Sequence, residues 1–300
     1  MSDGLILVTG AGSPGSIGRK VVERLQHRGL ATRALVRKDD ERAETLRVTG
    51  SDVVVGDLTQ PDEVARALDG CRRLYFGMSV ASDYLEATAT VASVARGQQT
   101  LEAFVNISQM TVSQMSLTST SESRHQRLHF LSEQILSWSG LPAVHVRPTI
   151  FMENPLFQIA LASTPDGYTL SLPFGSGHTS PVSTSDVADV ITAVLADPGP
   201  YLGRVLELTG PVSRDMNGVA EEYARAVGRP VTYVDLPADE WADNLAAFGL
   251  PDHLFQHITT MARLHRENRY DRVTTDIQDI LGRPALDVRD FAEKNPQLFL

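Results

Sequence analysis

The chain has 300 residues, a 42% hydrophobic composition and a formal net charge of -10, enough apolar material for one large core or two modest ones. That acidic balance argues against direct nucleic-acid binding, because phosphates would repel the chain as a whole. No apolar run approaches the roughly 18 residues needed to cross a bilayer, and no secretory leader pattern is visible. The single cysteine, Cys71, excludes an intrachain disulfide and a cysteine-rich zinc site. A cytoplasmic protein without membrane association is expected.

Through the first half, short apolar runs alternate with helical periodicity. Residues 5–9 (LILVT) predict a strand, and Ile17 to Arg28 predict a helix with Ile17, Val21, Val22 and Leu25 on one face. Strands follow at 31–36, 51–55, 73–76, 103–108 and 143–147. Helices are expected at 41–48, after Pro61-Asp62, at 85–96 and at 121–139. Strand–helix alternation with short connections implies parallel strands and right-handed crossovers, hence a doubly wound α/β (Rossmann) sheet over residues 1–150. Beyond 150 the rhythm breaks into a proline- and glycine-rich stretch. A helix opened by Ser185-Asp186 and a strand at 204–210 suggest that 185–209 return to the sheet. Helical patterns at 215–227, 238–247 and 252–267, without strands between them, predict a smaller, mostly helical substrate lobe over 151–300.

The run VTGAGSPGSIGRKVV (8–22) lies between the first strand and the first helix. It satisfies G-x-G-x-x-G through Gly10, Gly12 and Gly15, and G-x-x-G-x-x-G through Gly12, Gly15 and Gly18. Either register allows a tight turn, close backbone approach to a pyrophosphate and close helix packing. Amides at the helix start, near Ser16 and Ile17, would face the anion, with Ser13 and Ser16 as hydroxyl donors. The context of strand, turn and helix favours a dinucleotide. After the second strand stand Arg37 and Lys38, where cations accommodate a 2′-phosphate and so favour NADP(H); Asp39-Asp40 can partly neutralise them. Asp57, followed by Leu58, ends the third strand, either beside an adenine edge or as a cap.

Several segments together resemble the NmrA-like branch of the atypical short-chain dehydrogenase/reductases. They are VTGAGSPGSIGRKVVERL, RALVRK, VVVGDLTQPDEVARAL, HFLSEQILSWSGLPAVHVRPTIFMEN, STSDVADVITAVLADP and LELTGP, in that order. The glycine turn is two residues longer than the family's usual form. The resemblance implies NADPH-dependent reduction of small electrophilic substrates, as in the quinone-reducing members. The parent superfamily's Tyr-x-x-x-Lys pair is absent: no tyrosine is followed four residues later by lysine, and the lysines are Lys20, Lys38 and Lys294.

By register against Glu133, His129 takes the lysine position and His125 the tyrosine position. Histidines four apart share a helix face, and an imidazole with a pKa of about 6.5 can deliver a proton at neutral pH. Structural histidines, or a metal stripe of His125, His129 and Glu133, are the alternatives. Ser108, after the fifth strand, and Pro148, after the sixth, lie at the carboxyl edge where such folds bind ligands. By resemblance the backbone at Pro148 touches the nicotinamide, and Phe151, Met152 and Asn154 line the substrate side, although Phe151-Met152 also suits a core. An uncharged aromatic or conjugated small molecule is the expected substrate, and a homo-oligomer is compatible with the sequence. The competing functions are a non-catalytic NADP(H) sensor and an isomerase or hydratase acting on a polyketide intermediate.

Overall fold

The computed structural model describes residues 4–299. The chain alternates as expected: β1 (Leu5–Val8), α1 (Ile17–His27), β2 (Thr32–Val36), α2 (Glu41–Val48), β3 (Asp52–Val55), α3 (Pro61–Leu68), β4 (Cys71–Phe76), α4 (Tyr84–Gln98), β5 (Ala103–Ile107), α5 (Arg124–Ser139) and β6 (Ala143–Pro148). There follow α6 (Pro155–Ala160), β7 (Leu161–Ser163), β8 (Tyr168–Leu172), α7 (Thr184–Ala196) and β9 (Val205–Leu208). The chain continues with α8 (Met216–Val227), β10 (Val231–Asp235), α9 (Ala238–Ala246), α10 (Asp252–Arg266), α11 (Asp276–Leu281) and α12 (Val288–Lys294).

Seven strands form one sheet in the order β3-β2-β1-β4-β5-β6-β9, the doubly wound order with its topological switch between β1 and β4. Central strands are covered on both faces, so they read as unbroken apolar runs: every residue of β5 is buried, whereas the edge strand β3 ends on exposed residues. α7 is an apolar, deeply buried helix. Val187, Ala188, Val190, Ile191, Val194 and Leu195 are all fully buried, and Arg73 Nη1 donates to the carbonyls of Leu195 and Ala196 at 2.9 and 3.2 Å.

The chain divides into two compact units. One comprises residues 1–112, 127–147 and 187–206; the other comprises 113–126, 148–186 and 207–300. The second unit is less purely helical than its sequence suggests, because β8 pairs in parallel with β10 and antiparallel with β7. The glycine- and proline-rich stretch hides β7 and β8. Thr164 and Gly167 exchange backbone hydrogen bonds at 2.9 and 3.3 Å, closing a tight hairpin, and a Cβ on Gly167 would lie 2.1 Å from the Pro230 carbonyl oxygen. Phe157, Leu170, Phe174, Tyr223, Trp241 and Leu245 share this unit's core. Of the aromatic residues in its helical region, Phe248 is exposed.

α5 begins three residues later than its periodicity suggested. Ser123 Oγ accepts from the Gln126 amide at 3.1 Å, and Gln126 Oε1 accepts from the Ser123 amide at 2.8 Å. This reciprocal capping box satisfies the first amides and defines the helix start.

Candidate active site

The glycine turn sits at the switch point between β1 and β4. Thr9 Oγ1 donates to the Gly77 carbonyl at 2.8 Å and accepts from its amide at 2.9 Å, which ties the end of β1 to the turn after β4. Two glycines serve that close packing. Gly10 has φ +68°, and a Cβ there would lie 2.7 Å from the Gly77 carbonyl oxygen; one on Gly18 would lie 2.5 Å from that of Thr9. Gly12 and Gly15 differ, since a Cβ on either meets no atom within 4 Å. Pro14 and Gly15 lie in a turn closed by Ser16 N donating to the Ser13 carbonyl at 3.2 Å, and Ser16 Oγ caps α1 by accepting from the Arg19 amide at 3.3 Å. Ser13 is exposed. The opening amides of α1, at Ile17 and Gly18, have no intrahelical acceptor. Open space over Gly12 and Gly15, beside a helix N-terminus, leaves room for a pyrophosphate.

At the end of β2, Arg37 and Lys38 are both exposed. The acidic pair after them is engaged elsewhere: Asp39 with Arg47 at 2.8 Å, and Asp40 with the α2 amides of Arg42 and Ala43 and with the Arg42 guanidinium. The partner of Arg37 is instead Asp83, which its Nη2 meets at 3.2 Å, a pairing across 46 positions that periodicity does not reveal. Asp57 accepts from both the amide and the hydroxyl of Thr59 at 2.9 Å. These bonds, with the nearby Arg37 charge, hold its carboxyl below the usual range despite partial burial. It therefore stiffens the β3–α3 turn while α3 itself has no side-chain cap. Leu58 packs on the core beneath.

Farther along the same edge, Ser108 is buried and its hydroxyl has no hydrogen-bond partner. A sealed hydroxyl without a partner is costly in a closed core, so this one suits a ligand group. His129 is 6% exposed. Its ring lies 4.3 Å from that of Tyr84, whose hydroxyl donates to the Ile107 carbonyl at 3.1 Å. This contact joins α4 to α5 across 45 positions, a pairing that no local periodicity encodes. Glu133 is held by Arg147, with Nε–Oε1 at 3.0 Å and Nη2–Oε2 at 2.5 Å. That bidentate pair commits the carboxylate that a His125–His129–Glu133 metal stripe would need.

His125 belongs to the second unit, where its ring meets His257 edge-on at 4.9 Å, and His257 Nδ1 lies 2.8 Å from Ser123 Oγ. Burial, then the charges of His257 and His253, push the His125 pKa down to about 3, so this imidazole is neutral at pH 7. Pro148 ends β6. Phe151 forms a parallel bridge with Val182 and is half-buried, Met152 lies within the second unit's core, and Asn154 Oδ1 caps α6 by accepting from the Leu156 amide at 3.0 Å.

Sheet order, switch-point glycine turn and basic β2 terminus together define an α/β protein of the dinucleotide-binding class. The chain belongs to the NmrA-like family, whose model matches residues 2–292. It is 27% identical over 297 residues to an NAD(P)H azoreductase of Xenophilus azovorans, covering 98% of this chain and 99% of that one. It is also 28% identical over 295 residues to a (4-alkanoyl-5-oxo-2,5-dihydrofuran-3-yl)methyl phosphate reductase of Streptomyces griseus, covering 98% and 99%. Among solved structures, the NADPH complex of the Escherichia coli NADPH-dependent quinone oxidoreductase superposes with a TM-score of 0.82 at 22% identity, over 98% of this chain and all of that one. The negative transcriptional regulator NmrA in complex with NADP gives 0.81 at 18%, over 98% and 95%. At such identities these two likenesses speak for the fold. No helix among the described residues is long and apolar enough to cross a membrane.

Proposed function

We propose that this chain is an NADPH-dependent reductase of small conjugated acceptors, such as quinones and related carbonyl compounds. The open cradle at Gly12 and Gly15 carries the reading, because it leaves room for a pyrophosphate where the Rossmann sheet binds one. Full-length relatives named as reductases support the reaction class. Arg37 and Lys38 hold the 2′-phosphate, the backbone at Pro148 borders the nicotinamide, and Phe151, Met152 and Asn154 lie on the substrate side. A bound reduced nicotinamide would supply the hydride. Ser108 orients the acceptor through its spare hydroxyl. His129 Nδ1 is sealed from solvent, so Nε2 is the nitrogen that passes a proton to the reduced oxygen, directly or through a water. His125 is neutral at pH 7 and does not donate as an imidazolium. A conjugated acceptor is already electrophilic, which is why this chemistry proceeds without a Tyr-x-x-x-Lys pair.

One observation favours a second reading: both histidines are more than nine-tenths buried, as suits an NADP(H)-sensing regulator that performs no turnover. NADPH oxidation followed spectrophotometrically with quinone, azo-dye and enone acceptors separates the two. Turnover is expected in the wild type, and His129→Ala should lower it roughly 10²-fold, the usual scale of general acid–base loss, with NADPH affinity retained. Activity restored by His129→Gln would assign His129 to positioning alone. Tight NADPH binding with no acceptor reduced would give first place to the sensor.

A further inference from the structure

The first helix carries a buried cation with no role in the site described above. Arg19 is 7% exposed. Its Nε donates to the Ala11 carbonyl at 3.3 Å and its Nη2 to the Arg42 carbonyl at 2.7 Å. The guanidinium thus spans the gap between the glycine turn and the first turn of α2, next to the loop that bears Arg37. Nη1 makes no hydrogen bond to any described residue and is not sealed from solvent, and no described carboxylate pairs with this side chain. A largely buried cation answered only by two neutral carbonyls is under-compensated, whereas a phosphate offers both charge and a geometry that the planar fork matches. Arg37 is the weaker anchor, because its side chain is 60% exposed and shared with Asp83.

We infer that Arg19 is a second cationic contact for the adenosine 2′-phosphate, pre-positioned by Ala11 and Arg42, and that it sets the preference for NADPH over NADH. This rests on the cofactor reading above. The test is a fluorescence titration of Arg19→Met and Arg19→Lys with NADPH, NADH and 2′-AMP, alongside urea melts. In Arg19→Met the stem still packs, so NADPH and 2′-AMP affinity should fall about tenfold or more while NADH changes by less than about twofold. Arg19→Lys keeps charge but lacks the fork and should fall between; if Arg19→Met does not fold, the NADPH-to-NADH ratio of Arg19→Lys decides alone. An unchanged ratio beside a lower urea midpoint would make Arg19 a purely structural strap and overturn the inference. Equal losses for both dinucleotides would assign it to the pyrophosphate or the loop, and overturn it too. Wild-type protein that binds neither nucleotide would refute the cofactor reading and this inference with it, whereas a wild-type preference that survives Arg19→Met refutes the inference alone.

Discussion

Two glycines of one turn should respond to alanine with opposite signs. At Gly18 the added Cβ would lie 2.5 Å from the Thr9 carbonyl oxygen, 2.7 Å from the Gly10 carbonyl carbon and 2.8 Å from the Gly10 carbonyl oxygen. These are backbone atoms of the β1 terminus, fixed by the Thr9–Gly77 hydrogen bonds, so α1 itself has to move. Alanine gains up to about 1 kcal/mol of helix propensity, less at a first turn, against an overpacking cost of about 3 kcal/mol. The net loss of about 2 kcal/mol should lower the melting temperature of a chain of this length by roughly 3 °C. At Gly12 nothing lies within 4 Å, and the backbone is outside the left-handed region. Gly12→Ala should therefore leave stability unchanged or raised by about 0.5 kcal/mol, through a less flexible unfolded chain, while weakening NADPH binding tenfold or more, on the order of 1.4 kcal/mol. Gly15 is the poorer probe, since its φ of +72° would mix backbone strain with ligand exclusion. Differential scanning fluorimetry and nucleotide titration on both variants provide the check. A Gly18→Ala protein that melts higher than wild type would refute the packing argument, and a Gly12→Ala protein with undiminished NADPH affinity would refute the cradle.

Two further predictions concern stability. Arg147→Met should cost roughly 3–5 kcal/mol in urea melts, because it strands the Glu133 carboxylate at 4% exposure; the double variant Glu133→Leu/Arg147→Met should cost less, and a double variant as damaged as the single one would contradict this. The pKa values of His125, His257 and His265 are pushed down by burial to about 3, 4 and 3, while unfolded histidine titrates at about pKa 6.5. Between about pH 6.5 and 4 the unfolded chain thus binds protons that the folded one does not, so stability should be full above that window and fall as pH drops through it, by up to about 1.4 kcal/mol per unit for each histidine. His257→Gln should reduce that slope by about one proton; stability flat from pH 6.5 to 4.5 in the wild type would show that these imidazoles are not buried as described.

Periodicity and punctuation were sufficient for the first unit. Alternating apolar runs, the Pro61-Asp62 helix start and the glycine turn are local signals, and a parallel sheet covered on both faces leaves few other ways to bury them. The positions of Gly12, Gly15, Arg37 and Ser108 at strand ends were legible for the same reason, since the carboxyl edge of a doubly wound sheet follows from strand order. What the sequence could not state is which partners meet across the chain. The engagement of Arg37 with Asp83, the tilted ring contact of His129 with Tyr84, the commitment of Glu133 to Arg147 and the bridging of Ala11 and Arg42 by Arg19 all join separate elements. Spacing within one helix places His125 and His129 on a common face, but only packing determines their burial, and burial keeps His125 neutral. The strands β7, β8 and β10 were obscured likewise: each is short, and pairing between β8 and β10, some 60 residues apart, supplies the hydrogen bonds that no local pattern encodes.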